Sequence, residues 1–206
     1  MNAAAFRIDN VVPLANPRRA ATRLRIVEAA NALFFERGFA AVTMEELAQA
    51  VGIRRSTLYL HFRDKEEVLG AIARDYTAKL RPVIARLAGP EPTRAQIARW
   101  VDEMADFVMR ERAATELLVS LSHLPKAPAA AQAFGAEFKD LMASRLAAFR
   151  LALEPGETMA FARAMAAVDG LGWALCHHAR SGGDAVSKAR LAVAADGLDR
   201  LVRGCT

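Results

Sequence analysis

Apolar residues recur along this chain at three- and four-residue intervals, and no stretch alternates in the period of two that marks a half-buried strand. The first stripe, Ile26, Ala29, Ala30, Leu33 and Phe34, predicts a helix that starts at Asn16-Pro17, runs to Arg37 and is ended by Gly38. A second helix starts at Thr43. In "TMEE" the threonine caps the helix and Glu46 reaches back to the cap. It runs to about Val51, with Gly52 at the turn. A third is predicted over Arg55 to Phe62. A fourth opens at "DKEE" with Asp64 as its cap and carries Leu69, Ile72, Tyr76 and Leu80 on one face. It is expected to end or bend near Pro82, because proline lacks the N–H and clashes inside a helix.

Beyond "AGPEP", Ala88 to Pro92, the helical period returns. Ile97, Trp100, Val101, Met104, Phe107 and Val108 form one stripe, and Phe134, Phe138, Leu141, Met142 and Phe149 another, with Pro125 and Pro128 between them. Two further helices are predicted at about 157–180 and 184–203, separated by "SGGD". The fold class is therefore all-α. The expected organisation is an arm over 1–16, a helix-turn-helix domain over 17–81, and a larger helical domain over 82–206.

Charge sharpens this picture. The 206 residues carry a net +5, and the first 81 hold 13 Lys and Arg against 9 Asp and Glu, so almost all the excess lies there. A polyanion is a candidate partner for that part. The spacing Thr43–Val51, turn, Arg55–Phe62 is that of a helix-turn-helix, whose second helix fits the major groove of B-DNA. With Leu58 and Phe62 turned inward, Arg54, Arg55, Ser56, Thr57, Tyr59 and His61 are left for solvent or a ligand. Arginine can bond guanine edges bidentately, and hydroxyls serve bases or phosphates. Arg18, Arg19, Arg23 and Arg25 either reach phosphates or a minor groove, or form a solvated helix start.

The segment "RIVEAANALFFERGFAAVTMEELAQAVGIRRSTLYLHFRDKEEVLGAI", Arg25 to Ile72, resembles the DNA-binding domain of the tetracycline-repressor (TetR) family of transcriptional regulators. The resemblance implies that Thr43, Tyr59 and Lys65 hold phosphates, that Arg55, Ser56 and Thr57 lie in the groove, and that His61 stands at its edge. Three positions depart from the family's pattern: Arg54 replaces a capping Ser or Thr, Ser56 a Gly or Ala, and Leu60 an aromatic. These departures bear on which DNA sequence is preferred.

The same resemblance implies a homodimer through the last two helices, placing two recognition helices on a near-palindromic operator in double-stranded DNA. It also implies release from the operator by a small-molecule effector. Ala164, Ala167, Gly170, Gly172 and Ala174, together with Leu191, Ala194, Leu198 and Leu201, suit close helix packing, either between subunits or within one. For a small apolar or amphipathic ligand the candidates are Trp100, Met104 and Phe107, which core packing equally explains, and His123. Asp169, Trp173 and His177 share one helix face, lining either a pocket or the dimer interface. A regulator without any effector would instead have a filled core in this domain.

Other classes find little support. Cys176, His177 and His178 do not converge as metal ligands, since neighbours on a helix point about 100° apart, and no metal or cofactor is expected. Cys176 is expected to be a buried small hydrophobe and Cys205 to be exposed. There is no nucleophile elbow, phosphate loop or carboxylate pair to suggest an enzyme. No secretory signal and no uninterrupted run of 18 apolar residues is evident, so a cytoplasmic protein that does not span a membrane is expected.

Overall fold

The computed structural model describes residues 17–204; the 1–16 arm, Asn16 and Cys205 lie outside them. Ten α-helices make up the described regular structure: α1 Pro17–Arg37, α2 Met44–Val51, α3 Arg55–Tyr59, α4 Lys65–Ala85, α5 Arg94–Arg110, α6 Arg112–Ser122, α7 Ala129–Arg145, α8 Ala147–Ala152, α9 Thr158–Ser181 and α10 Ala185–Arg203.

The helix starts follow local chemistry. Thr43 and Glu46 form a complete capping box at α2, Thr93 and Gln96 another at α5, while Asp64 and Asp184 accept from the backbone N–H groups of Glu67 and Ser187. Such caps each stabilise by about 1 kcal/mol. Gly52 ends α2 at φ 70°, a left-handed conformation that a side chain would strain, and Ile53 N–H donates to the Ala48 carbonyl at 3.0 Å to close the turn.

Two expectations are corrected. The third helix stops at Tyr59 instead of Phe62, because the Leu60 and His61 N–H groups donate three residues back, to the Thr57 and Leu58 carbonyls at 3.2 and 2.9 Å, tightening the chain into a turn. The fourth continues through Pro82 to Ala85, keeping Val83, Ile84 and Leu87 buried beyond the proline. Apolar packing there offsets the hydrogen bond that proline cannot make.

Ile26 and Phe34 of α1, Leu47 of α2, Leu58 of α3, Phe62, and Val68 and Leu69 of α4 are almost wholly buried, forming the core under the small N-terminal helices. Farther along α4, Tyr76, Leu80 and Ile84 join the second group, with Trp100, Met104 and Val108 of α5, Leu118 of α6, Met142 of α7 and Phe149 of α8. Thus α4 belongs to both. The pair α9 and α10 packs against α5 and α8 with Leu171, Leu191 and Leu198 inside.

Candidate functional site

The first candidate surface is built on α2 and α3. Leu58 roots α3 in the core, and this turns Arg54, Arg55, Ser56 and Tyr59 outward, with Thr57 half-buried. Arg54 makes no side-chain cap to α3, so the position is uncapped by any side chain. The Arg55 guanidinium lies 5.5 Å from the Tyr59 ring centroid and 3.9 Å from a Glu45 carboxylate oxygen. Tyr59 chiefly, and then Glu45, raise its basicity. Leu60, 72% exposed, extends this face with an aliphatic side chain.

Behind that face, several cations bind backbone carbonyls. Lys65 Nζ donates to the carbonyls of Phe39, Ala40 and Val42, at 2.9, 3.0 and 3.3 Å, and lies over the Phe39 ring. Arg25 donates to the Val51 carbonyl at 2.7 Å, at the end of α2. Arg19 and Arg23 donate to the Leu60 and His61 carbonyls, at 3.2 and 2.8 Å, at the end of α3. Arg23 also stacks 4.0 Å from the centre of the Phe62 ring. Basic side chains at helix C-termini satisfy carbonyls that the helix leaves open and complement its dipole.

The second candidate is a partly open cavity of about 450 Å³ lined by residues of α4, α5, α6, α7 and α9. Its wall is mostly apolar, with Leu80, Met104, Val108, Val119, Phe134, Phe138, Met165 and Val168. At one place, Tyr76 of α4 and Thr115 of α6 line it together, their hydroxyl oxygens 3.0 Å apart. Other polar residues on the lining are Ser122, His123, Gln132, Lys139 and Asp169. His123 Nε2 is 3.2 Å from an Asp169 carboxylate oxygen, and its ring lies against that of Trp173 at 5.3 Å.

A broad apolar groove runs along the outside of α9 and α10. Ala167, Gly170, Trp173, Val186, Val193 and Ala194 line it, with Trp173 and Val193 well exposed. By length and composition α9 is apolar enough to cross a membrane, although charged residues interrupt its sequence; its buried face packs on α10, α8, α5 and α6.

The profile described as "Bacterial regulatory proteins, tetR family" matches residues 26–72, the segment that forms this helix-turn-helix. Over that segment the chain is similar to regulators of the TetR family. Among curated relatives, an HTH-type transcriptional repressor of Mycobacterium tuberculosis is 34% identical over 103 residues, which cover 43% of this chain and 55% of that protein. The chain spans at most about half the length of the curated relatives it matches. A TetR-like regulator from Rhodococcus superposes over 90% of this chain and 96% of its own at a TM-score of 0.61 and 23% identity, showing the shared fold. FadR of Thermus thermophilus, a TetR-family repressor solved in complex with lauroyl-CoA, covers 89% of this chain and 95% of its own at a TM-score of 0.56 and 25% identity.

Several TetR-like expectations for individual residues need correction. Lys65 does not present its ammonium to a phosphate, because three carbonyls already take its three donors. His61 is half-buried beside Arg19 and Arg23, not standing free at a groove edge. Burial first, and then those two guanidiniums, lower its pKa and hold it neutral. Arg19, Arg23 and Arg25 each donate to a backbone carbonyl, with Arg19 and Arg25 still exposed to solvent. Thr43 is exposed at the start of α2, where its hydroxyl donates to Glu46 at 2.9 Å.

The ligand candidates divide. Met104, His123 and Asp169 line the cavity; Trp100 and Phe107 do not. Trp100 is buried with its Nε1–H donating to the Val83 carbonyl at 3.0 Å, and Phe107 packs on Tyr76. Trp173 lines the outer groove, while His177 sits near Asp184, so the helix face they share with Asp169 serves three environments. The small-residue stripe divides too. Ala167, Gly170 and Ala174 border the groove, but Ala164 is buried and Gly172 faces Val119. Cys176 is buried, and burial pushes its thiol up to about 11, which makes it inert. The sequence pattern missed Tyr76 and Thr115 as cavity residues, since their meeting is a contact between chain positions 39 apart.

Proposed function

We propose that this protein is a homodimeric, sequence-specific DNA-binding regulator, a repressor that a small apolar or amphipathic effector releases from its operator. The observation that carries the DNA reading is the outward face of α3, where Arg55, Ser56 and Tyr59 stand on a helix anchored by Leu58. In this reading Arg54, Arg55, Ser56 and Thr57 meet base edges and phosphates, and Thr43 and Tyr59 hold the backbone. The repressor assignment draws on the names of the curated relatives.

The effector reading draws on the cavity, whose 450 Å³ suits a small molecule where a regulator without an effector would have a filled core. Lauroyl-CoA bound to the Thermus thermophilus relative is consistent with an amphipathic ligand, one with an apolar chain, in this fold. Because Tyr76 lines the cavity and Lys65 begins the same helix, α4 joins the ligand to the helix-turn-helix. Linkage requires the effector to prefer the DNA-incompetent arrangement of α4. The dimer reading draws on the apolar groove of α9 and α10, which a second copy would cover and thereby space two recognition helices.

The test is fluorescence anisotropy on DNA flanking the gene against scrambled DNA at two salt concentrations. Tight binding confined to the flanking DNA is the expected result; equal, steeply salt-sensitive binding to both overturns sequence-specific reading at that DNA.

A further inference from the structure

The direction of one buried hydrogen bond says what the cavity can recognise. Thr115 Oγ lies 3.0 Å from the Glu111 carbonyl, and a carbonyl can only accept, so the threonine proton goes there. The Tyr76–Thr115 contact at 3.0 Å must then run the other way, with the phenol donating to Thr115 Oγ. Both protons at this place are engaged, and the phenol oxygen keeps an unused lone pair beside the cavity that Tyr76 and Thr115 line. The Tyr76 ring is fixed between Phe107 and Phe134, at 5.3 and 5.6 Å between centroids, so the oxygen cannot swing away. Leu80, Met104 and Val108 belong to the same lining, which is mostly apolar. An acceptor-only group would find no proton at Tyr76, because the phenol and threonine protons are already given to Thr115 Oγ and the Glu111 carbonyl.

We propose that the effector is a largely apolar molecule carrying a hydroxyl group, which donates a hydrogen bond to the Tyr76 phenol oxygen. The proposal rests on reading the cavity as the effector site and adds the chemical class of its occupant. Tyr76 is then the residue that selects the ligand, and it does so from the helix that carries the DNA-binding end.

Calorimetric titration of the full chain with 4-butylphenol, 4-butylanisole and butylbenzene tests it, since the three share a body and differ in one group. The phenol is expected to bind about fivefold tighter than the other two, the worth of one net hydrogen bond. In Tyr76→Phe that preference is expected to collapse to about equal affinities with binding of butylbenzene retained. In Thr115→Val the Tyr76 proton is released, so 4-butylanisole is expected to gain and narrow its gap to the phenol. Equal affinities of all three for the unaltered chain would overturn the hydroxyl assignment while leaving an apolar effector site. A preference for the phenol that survives Tyr76→Phe would overturn the role of Tyr76. If none of the three binds, the effector site itself is wrong, and the proposal falls with it.

Discussion

The helix-turn-helix end and the helical body differ in what several of their cations bind. In the body, cations meet carboxylates of other helices: Arg180 with Glu116, Arg81 with Glu137, Arg94 with Asp196, Lys79 with Glu111 and Arg86 with Glu103. At the helix-turn-helix end, Arg19, Arg23, Arg25 and Lys65 meet backbone carbonyls, beside the carboxylate pairs Arg37–Glu46 and Arg63–Glu67. A carboxylate cancels the charge it binds, whereas a carbonyl does not. The first 81 residues hold nearly the whole positive excess, with 13 Lys and Arg against 9 Asp and Glu. Cations bound to carbonyls hold the fold together and still contribute to the field that draws a polyanion in.

The comparison breaks first at Lys65. Lys65→Met removes three carbonyl contacts from one charged donor and frees the loop that leads into α2. It is expected to cost about 2–3 kcal/mol in denaturant unfolding. Arg94→Met in the body, an exposed pair at 2.7 Å, is expected to cost no more than about 0.5 kcal/mol. Equal costs would mean that carbonyl-bound and carboxylate-bound cations do the same structural work.

Within the body, Glu116 sharpens the contrast. Its side chain is only 8% exposed and bridges Arg112 at 3.0 Å and Arg180 at 2.6 Å, both of which are about half exposed. The acid carries the desolvation and the arginines can return to water. Removing an arginine should therefore hurt more than removing the acid, with Arg180→Met costing about 2 kcal/mol and Glu116→Gln about 1. The reverse order of unfolding midpoints would show that the guanidinium, not the carboxylate, is the buried charge. Because Arg112 also lies over Phe35 of α1, at 5.5 Å, these variants should also be assayed for DNA affinity.

How legible this was depended on how far apart the causes lie in the chain. Thr43 with Glu46, and Gly52 after Val51, announce the start and end of α2 within a few residues, and the structure follows them. The end of α3 was not legible. Leu58 and Phe62 keep the helical spacing, while the arginines that take the carbonyls of Leu60 and His61 lie 41 and 38 residues earlier. Trp100 and Met104 share one stripe, yet only Met104 reaches the cavity, because the Trp100 indole is directed to the Val83 carbonyl on another helix. Tyr76 read as an ordinary member of the α4 stripe for the same reason. Periodicity reports which face of a helix is covered and is silent on whether the cover is a neighbouring helix, a cavity or a second chain.

A smaller effect is set by pH. The Thr43 backbone N–H, then the Arg37 guanidinium and the Thr43 hydroxyl, hold the Glu46 carboxyl at about 2, below the usual 4.5. A lowered folded-state pKa gives stability that is fully present above the unfolded value and lost as pH falls from about 4.5 towards 2. Glu46→Gln is expected to flatten that part of the acid-unfolding profile and to leave the profile above pH 6 parallel to the parent's. An unchanged acid limb would mean that the α2 cap makes no pH-dependent contribution.

The smallest effect tests the field itself. If Arg25 binds only the Val51 carbonyl, Arg25→Gln keeps an amide donor for that carbonyl and removes one charge that touches no phosphate. A lost phosphate contact lowers the slope of log affinity against log salt by about 1, because one fewer counterion is released. A lost remote charge acts only through a screened potential with a Debye length of about 8 Å in physiological salt, so affinity should fall by about twofold and the slope should stay. The Arg55→Ala slope on the same DNA supplies the other limit, where a side chain on the outward face is removed and base preference relaxes as well. A slope that drops equally in both variants would mean that the carbonyl-bound cations turn to phosphates when DNA arrives, and the difference between the two ends of the molecule would hold only for the free protein.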